Sequence, residues 1–270
     1  MTLAFQAAGR SWQGAHRDNN EDSFLTSESA IAVADGVGGH AGGEVASAMV
    51  IQNLAAVIQS MRGRELSENQ VRETIATANF GVSLRVRHDE ALTGMSTTLS
   101  ALFRGDGGLL LAHIGDSRAY LLRGTQVHQV SRDDSYIQDL LDAQKITAAD
   151  SRRHPMRSVV LKVLSGDNSS PTSSVGLSRH EALDGDRWLL CSDGLTDYVP
   201  IELVEETLSA GLDPEATADI LIALAGQHDS RDNITLVVCD VVNRTTTTAA
   251  VQVGGAALEL YGALPAPGMR

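Results

Sequence analysis

The chain has 270 residues, enough for one large domain or two small ones, and its 43% hydrophobic residues can form a sizeable core. With 34 acidic residues against 21 Lys and Arg, the formal net charge is −13. This charge argues against a nucleic-acid or anionic-membrane partner, because phosphate backbones bind clustered basic side chains. It does not exclude phosphate chemistry, because metal cations bind phosphate with few basic side chains.

Nothing in the sequence predicts export or membrane insertion. Cys191 and Cys239 lie inside apolar runs, which indicates buried thiols in a reducing compartment rather than a disulfide. The N-terminus has no basic stretch followed by a long apolar run, as a signal peptide would. No apolar run approaches the roughly 18 residues that a membrane helix needs. We therefore expect a cytoplasmic protein, and we take it to be a monomer.

Short apolar runs closed by Gly or Asp turns predict β-strands. The clearest are Ala30–Ala34, Thr97–Phe103, Leu109–Ile114, Ala119–Leu122, Arg187–Ser192 and Ile234–Val242. Several of these runs are apolar throughout rather than alternating, which is typical of strands buried in the core of a sandwich.

Longer segments with helical spacing separate these strands. Gly43–Met61 carries a wide apolar stripe. A second helix, Glu68–Glu90, follows a capping-box pattern formed by Ser67 and Gln70. A third, Pro214–Ala225, follows an Asp-Pro start signal. Because strands come in groups with helices between the groups, we predict an α+β fold with packed sheets covered by helices, rather than a doubly wound parallel sheet.

Two segments look different from the rest. Residues 131–165 have the pattern of two short helices on an irregular excursion, and we predict a mobile flap there. Residues 244–270 begin with threonines and are rich in Ala, Gly and Pro, so we place the end of the domain at residue 243. For this tail two interpretations stay open, a disordered or loosely packed end and a docking segment.

Acidic residues stand at the ends of several predicted strands. They are Glu21, Asp22, Asp35, Asp116, Asp193 and Asp232. A lone Asp-Gly pair usually marks a turn, but packed sheets bring strand ends together, so carboxylates from several strands can converge. Without cations they would repel one another, and hard divalent cations such as Mg²⁺ or Mn²⁺ remove that conflict. The sequence has no Cys or His cluster of the kind that holds structural zinc.

Glycines crowd the segment after Asp35, at Gly36, Gly38, Gly39, Gly42 and Gly43. They leave the backbone free to approach a metal or a phosphate, and the helix that follows favours anions at its start. The segment lacks the Lys-Ser/Thr of a nucleotide P-loop and the spacing of a dinucleotide-binding fingerprint, so nucleotide binding is disfavoured.

Seven segments, in this order, resemble the PP2C (PPM) family of metal-dependent Ser/Thr protein phosphatases, in particular its bacterial members. They are Arg17–Asp22, Ala34–His40, Gly94–Thr98, Gly115–Arg118, His154–Arg157, Cys191–Asp197 and Asp232–Thr235. The resemblance spans about residues 8–242. It implies a four-layer αββα sandwich of two antiparallel sheets flanked by helix pairs, with a phosphatase domain over residues 1–243.

The resemblance also implies a metal centre of two Mn²⁺ or Mg²⁺ ions. Its implied ligands are Asp35 on both ions, Asp193 and Asp232 on the first, and the Gly36 carbonyl and, through water, Glu21 on the second. Asp22 would support the centre from outside the ligand set. Asp116 and Asp197 match positions that bind a third, weaker metal in bacterial relatives, whose occupancy we leave open.

The mechanism implied by the resemblance is direct hydrolysis of phosphoserine and phosphothreonine by a metal-activated water, without a phosphoenzyme. Arg17 would grip the phosphoryl oxygens, and His40 would be the general acid for the departing alkoxide. The partners would be phosphorylated proteins, including Ser/Thr kinases and their substrates. Ser96 stands where the family often has a glycine. This difference touches none of the implied metal ligands and bears only on contacts with the substrate.

Three other functions agree less well with the sequence. A catalytically silent module of the same fold, which binds phosphoproteins or regulates, would normally have lost a metal aspartate, and all are present here. A stress-signalling phosphatase that acts on one regulator normally carries sensor domains, for which this chain has no room. A two-metal nuclease is disfavoured by the acidic composition.

Overall fold

The computed structural model describes residues 2–37, 42–151, 153–169, 174–244 and 250–264. Two antiparallel sheets form its centre, and their strand orders are β1-β12-β11-β8-β9 and β10-β7-β6-β3-β2-β13. The strands are β1 (Thr2–Trp12), β2 (Ser23–Thr26), β3 (Ala30–Ala34), β4 (Gly36–Val37), β5 (Ser96–Thr97), β6 (Leu99–Gly105), β7 (Gly108–Ile114), β8 (Arg118–Arg123), β9 (Gln126–Gln129), β10 (Gly176–His180), β11 (Arg187–Cys191), β12 (Ile234–Arg244) and β13 (Gln252–Gly255).

The helices cover the outer faces of the sheets or form the connections at their ends. They are α1 (Gly43–Met61), α2 (Glu68–His88), α3 (Tyr136–Asp142), α4 (Ala148–Ser151), α5 (Asp193–Thr196), α6 (Ile201–Ser209), α7 (Pro214–Gln227) and α8 (Ala256–Tyr261), with a short 3-10 helix at Glu90–Leu92. Within these described ranges, no helix is both long enough and apolar enough to cross a membrane.

Three apolar clusters define four layers. The cluster between the sheets joins Phe5 and Trp188 of one sheet to Ile31 and Leu102 of the other. Helices α1, α2 and α8 pack on the outer face of the six-stranded sheet, and helices α6 and α7 pack on that of the five-stranded sheet. This burial of apolar side chains is the main force that holds the layers together. The predicted αββα sandwich is therefore confirmed.

The strong sequence signals are confirmed in detail. The α2 capping box forms, with Ser67 Oγ accepting from Gln70 N at 3.3 Å and Gln70 Oε1 accepting from Ser67 N at 2.9 Å. Asp213 Oδ1 caps α7 by accepting from Ala216 N at 2.8 Å. The predicted flap contains α3 and α4. Isolated β-bridges, such as that between Thr97 and Leu164, connect it to the rest of the domain. Its mobility stays a prediction.

The C-terminal part of the chain differs from the expected tail. Strand β13 adds to the edge of the six-stranded sheet by pairing with β2, and α8 packs against α1. The side chains that make these contacts are buried, among them Val251, Val253, Ala256 and Ala257. The expectation of a loose end after residue 243 therefore does not hold for residues 250–264. Two valines, of which only Val253 lies in β13, and two alanines are too short a pattern to give a periodicity signal.

Candidate metal centre

The sheet register brings the predicted carboxylates to one end of the sandwich. Cys191, the last residue of β11, pairs with Leu236 near the start of β12 and with Arg118 at the start of β8. The residues just outside these strands, Asp193, Asp232 and Asp116, therefore share one edge. In the other sheet, Leu99 at the start of β6 pairs with Ile114, which places Asp35 at the same end.

Burial and mutual repulsion act on these carboxyls. Burial, and secondarily the neighbouring carboxylates, raise the pKa of Asp35 and of Asp193 well above 3.8. Burial also raises the pKa of Asp22 and of Asp116 to about 7. The neighbours that repel Asp35 are Asp22, Asp193, Asp116 and Asp232. The carboxyls are thus close enough to influence one another.

The cluster is not drawn into a tight coordination shell. In the part of the chain that the structure describes, no three His, Cys, Asp or Glu side chains are gathered so closely that they could hold one ion. Two physical causes act here. Like charges in a partly buried site keep apart, and Asp232 is drawn toward Arg17, whose Nη2 donates to its carboxylate at 2.6 Å. Arg17, which is expected to bind the phosphoryl oxygens of the substrate, therefore contacts the predicted metal ligand Asp232 in this structure.

The backbone of Asp35 is fixed by two threonines. Its carbonyl accepts from Thr98 N at 2.9 Å and from Thr97 Oγ1 at 2.8 Å, and its N–H donates to Thr98 Oγ1 at 3.0 Å. Thr98 Oγ1 also lies 2.8 Å from Ser117 Oγ, next to Asp116. These threonines thus satisfy buried hydrogen bonds beside the site.

Glycines allow the Glu21 segment to approach the loop after Asp35. A Cβ atom on Gly36 would lie 2.4 Å from Gly43 C and 2.6 Å from Glu21 O. A Cβ atom on Gly43 would lie 2.6 Å from Glu21 Oε2 and 2.9 Å from Gly36 C. Both glycines are therefore required by close packing, and the Glu21 carboxylate lies beside the Gly36 backbone. That these two groups hold a second metal stays a prediction.

Asn233 is a positioning residue that no sequence pattern indicated. It is 4% exposed, and its Nδ2 donates to Gln13 O and Asn19 O at 2.8 Å each. Its Oδ1 accepts from Glu21 N at 2.9 Å. The side chain thus fixes the 13–21 loop next to Asp232. The Asp-Asn-Ile-Thr segment was recognised as a motif, but an amide that binds backbone groups leaves no spacing signal.

Asp22 is 1% exposed and lies behind the other carboxyls. Its Oδ2 accepts from Ser192 Oγ at 2.8 Å, and that hydroxyl accepts from Thr235 N at 2.9 Å. Thr235 Oγ1 lies 2.7 Å from Ser11 Oγ. Asp22 is therefore connected to the ends of β11 and β12. Its support of the metal centre from outside the ligand set stays a prediction.

A pocket of about 370 Å³ opens beside Asp116, Asp193 and Asp197, between α3 of the flap and the segment around α5 and α6. On its wall, Arg118 binds Asp133 through two nitrogens, with Nη2 2.7 Å and Nε 2.9 Å from Oδ2. Asp197, unlike Asp116, is solvent-exposed. The ion pair of Arg118 with Asp133 was missed because Asp133 follows no strand and precedes no glycine.

Of the histidines near the site, the predicted general acid His40 lies outside the described residues, as do Gly38 and Gly39. His113 is buried, with Nε2 2.9 Å from Arg132 O and Nδ1 2.9 Å from Ser100 Oγ. Burial lowers its pKa below the ordinary value of 6.5.

Comparison with known proteins agrees with this architecture. The Protein phosphatase 2C family model matches residues 13–224. The serine/threonine protein phosphatase PstP of Mycobacterium tuberculosis is 41% identical over 245 residues, which are 90% of this chain and 46% of PstP. The chain thus spans about half the length of that relative. The serine/threonine phosphatase stp of Listeria monocytogenes is 31% identical over 239 residues, 86% of this chain and 94% of stp.

A solved structure is similar over nearly the whole chain. It is the crystal structure of the PstP catalytic domain in complex with two manganese ions, with a TM-score of 0.81 and 38% identity, and the match covers 90% of this chain and 100% of that one. The fold, the order of the motifs and these matches lead to one conclusion. The chain belongs to the protein phosphatase 2C family.

Proposed function

We propose that the chain is a protein-serine/threonine phosphatase that depends on Mn²⁺ or Mg²⁺. The observation that carries the proposal is the convergence of Asp35, Asp116, Asp193 and Asp232 at one end of the sandwich, where burial and, secondarily, repulsion from the neighbouring carboxylates raise the pKa of Asp35 and Asp193. Its family membership and the manganese complex of the PstP catalytic domain support this function.

The donor set suits hard divalent cations. Oxygen ligands and a surplus of negative charge favour Mg²⁺ and Mn²⁺ over softer metals. The residues that would hold two ions are Asp35 on both, Asp193 and Asp232 on the first, and the Gly36 carbonyl and, through water, Glu21 on the second. Asp22 supports them, and Asp116 with Asp197 would hold a third. When bound, the cations offset the repulsion among the carboxylates and lower the pKa of water, so that hydrolysis proceeds near neutral pH.

The chain's own residues bind and orient the phosphoryl group. Arg17 is exposed and can exchange Asp232 for phosphate, and its guanidinium can bind two phosphate oxygens at once. Asn233 holds the loop on which Arg17 and Glu21 stand, so it fixes their spacing. His40 would give a proton to the leaving alkoxide.

Hydrolysis is proposed to be direct, without a phosphoenzyme. Both cysteines are buried, and burial raises the pKa of Cys191 to about 12 and that of Cys239 well above 9. Neither thiol would ionise near neutral pH, and a thiol is a poor nucleophile until it ionises. The proposed substrates are phosphorylated proteins, including Ser/Thr kinases and their targets, and the proposed setting is a monomer in the cytoplasm.

The test is hydrolysis of p-nitrophenyl phosphate and of a phosphothreonine peptide with Mn²⁺ or Mg²⁺. Asp35→Ala and Asp193→Ala should each abolish turnover while thermal unfolding stays cooperative. The matched control is Asp219→Ala, which removes an exposed carboxylate that binds Arg10 at 2.6 Å, away from the site. Turnover that survives excess EDTA would contradict the metal dependence. A folded wild type without turnover under any divalent cation would favour the silent binding module.

A further inference from the structure

We propose that the C-terminal segment Gln252–Tyr261, here named the C-terminal latch, positions Glu21 and Asp22 for metal binding. This inference rests on the proposed metal-dependent function. The latch lies beyond residue 224, where the match to the family model ends. It consists of strand β13 and helix α8, which follow one another without a break.

The latch binds the backbone of the acidic segment directly. In the ladder between β13 and β2, Gly255 pairs with Ser23, the residue after Asp22. The next residue of the latch, Ala256, donates its N–H to Asp22 O at 2.8 Å. Ala256 is 1% exposed, so water does not compete for this hydrogen bond.

A chain of hydroxyls connects the latch to Glu21. Ala257 N donates to Ser23 Oγ at 3.0 Å, and Ser23 Oγ lies 3.0 Å from Ser47 Oγ. Ser47 Oγ donates to Glu21 O at 2.5 Å. Because a hydroxyl has one hydrogen, Ser47 must accept from Ser23, which fixes the direction of the whole chain from Ala257 to Glu21.

Glu21 is thereby held from both sides. Asn233 Oδ1 accepts from its N–H, and Ser47, which depends on the latch through Ser23, donates to its C=O. Gly36 N also donates to this carbonyl, at 3.2 Å, so the Glu21 backbone, and with it the direction of the Cα–Cβ bond, is fixed beside Gly36. Loosening the latch should therefore widen the range of Glu21 orientations and weaken cation binding.

Two glycines of this region offer a matched pair of substitutions. Gly255 has φ +66°, and a Cβ atom there would lie 2.2 Å from Asp22 O and 2.9 Å from Ser11 Oγ. Gly262, just after the latch, has φ +72°, but a Cβ atom there would meet nothing within 4 Å. Alanine imposes a similar backbone penalty at both positions, and only at Gly255 does it push the latch away from Asp22.

The experiment is calorimetric titration of Mn²⁺ into the full chain, at a temperature at which thermal melts show every variant folded. We expect Gly255→Ala to bind Mn²⁺ about tenfold more weakly than wild type, and Gly262→Ala to bind it as wild type does. Ser23→Ala, which breaks the hydroxyl chain and keeps the apolar packing, should weaken binding in the same direction and serves if Gly255→Ala does not fold.

The outcomes separate this inference from the function on which it rests. If wild type binds no Mn²⁺, the proposed function fails. If wild type binds Mn²⁺ and both Gly255→Ala and Ser23→Ala bind it equally well, with only their melting temperatures lowered, the latch is purely structural and the inference is overturned.

Discussion

The two ends of the sandwich use the same dipeptide for different physical reasons. At the candidate metal centre, Asp35-Gly36 and Asp193-Gly194 follow strands β3 and β11. At the opposite end, Asp106-Gly107 closes the β6–β7 hairpin and Asp184-Gly185 precedes β11. The Asp residues at the opposite end are exposed, whereas Asp35 and Asp193 are partly buried among other carboxyls.

The glycines differ in the same way. Gly107 and Gly185 have φ of +79° and +90°, and their missing side chains face open space or the tip of Arg179. Gly36 and Gly194 do not have positive φ, but a Cβ atom on Gly194 would lie 2.0 Å from Asn233 O. At the opposite end, glycine permits a turn. At the candidate metal centre, glycine permits two backbone segments to come into contact. An Asp-Gly pair therefore indicates a candidate metal ligand only when the strand register places it beside other carboxylates.

The largest expected effect is that of Gly194→Ala compared with Gly185→Ala. At Gly194 the new methyl group collides with the backbone beside Asp232, so Asp193 and Asp232, the two proposed first-metal ligands, are pushed apart, and we expect Mn²⁺ affinity to fall by about 100-fold. At Gly185 the methyl group meets nothing within 4 Å, so the effect is a backbone strain of about 1–2 kcal/mol in stability. Titration calorimetry and thermal melts measure both. Equal Mn²⁺ affinity of the two variants would contradict the distinction.

A smaller effect is expected for Asn233→Ala, with Asn243→Ala at the other end of β12 as its control. Loss of three hydrogen bonds frees the 13–21 loop that carries Arg17 and Glu21, and activity with Mn²⁺ should fall by about tenfold. Asn243 is exposed, and its truncation should leave activity unchanged. The measurement is steady-state hydrolysis of a phosphothreonine peptide. Equal losses in both variants would show that β12 matters only for folding.

The smallest effect is a pH dependence of the metal-free protein. Burial raises the pKa of Asp22 and Asp116 from 3.8 to about 7, so both are ionised in the unfolded chain and take up protons in the folded one as pH falls through 7. Folding is then favoured by up to about 1.4 kcal/mol per pH unit for each group. We expect the melting temperature in EDTA to rise as pH is lowered from 8 to 6.5.

Saturating Mn²⁺ should reduce this dependence, because ligated carboxylates stay ionised. His113, whose pKa is lowered by burial, acts in the opposite direction only as pH approaches its ordinary value of 6.5, which limits the useful window. If the melting temperature of the metal-free protein instead fell as pH was lowered from 8 to 6.5, the raised pKa of the buried Asp22 and Asp116 carboxyls would be contradicted.

Sequence patterns were reliable where one short segment determines its own structure. The apolar run Ala30–Ala34 is strand β3, and the Ser67–Gln70 pattern forms the capping box of α2. Strand β1 was missed because its alanines and Gly9 have low strand propensity. Gly9 is explained only by the fold, since a Cβ atom there would lie 2.2 Å from the Phe24 ring.

The site was predictable to the extent that its residues carry charge at strand ends. Residues that act through backbone contacts were not, since Asn233 and Ser47 are ordinary polar residues until the chain folds around them. The contact of Arg17 with Asp232 was equally hidden, because it joins positions 215 residues apart. The role of the C-terminal latch was missed for the same reason, because it depends on contacts with Asp22 and Ser23, which are distant in sequence.

The most direct test of the metal centre is anomalous diffraction at the manganese edge from crystals grown with Mn²⁺. Two peaks among Asp35, Asp193 and Asp232, with the Asp35 carboxylate between them and Arg17 released from Asp232, are the result expected here. Peaks elsewhere, such as at the Asp106 end, or carboxylates at the expected end that bind no ion, would contradict it.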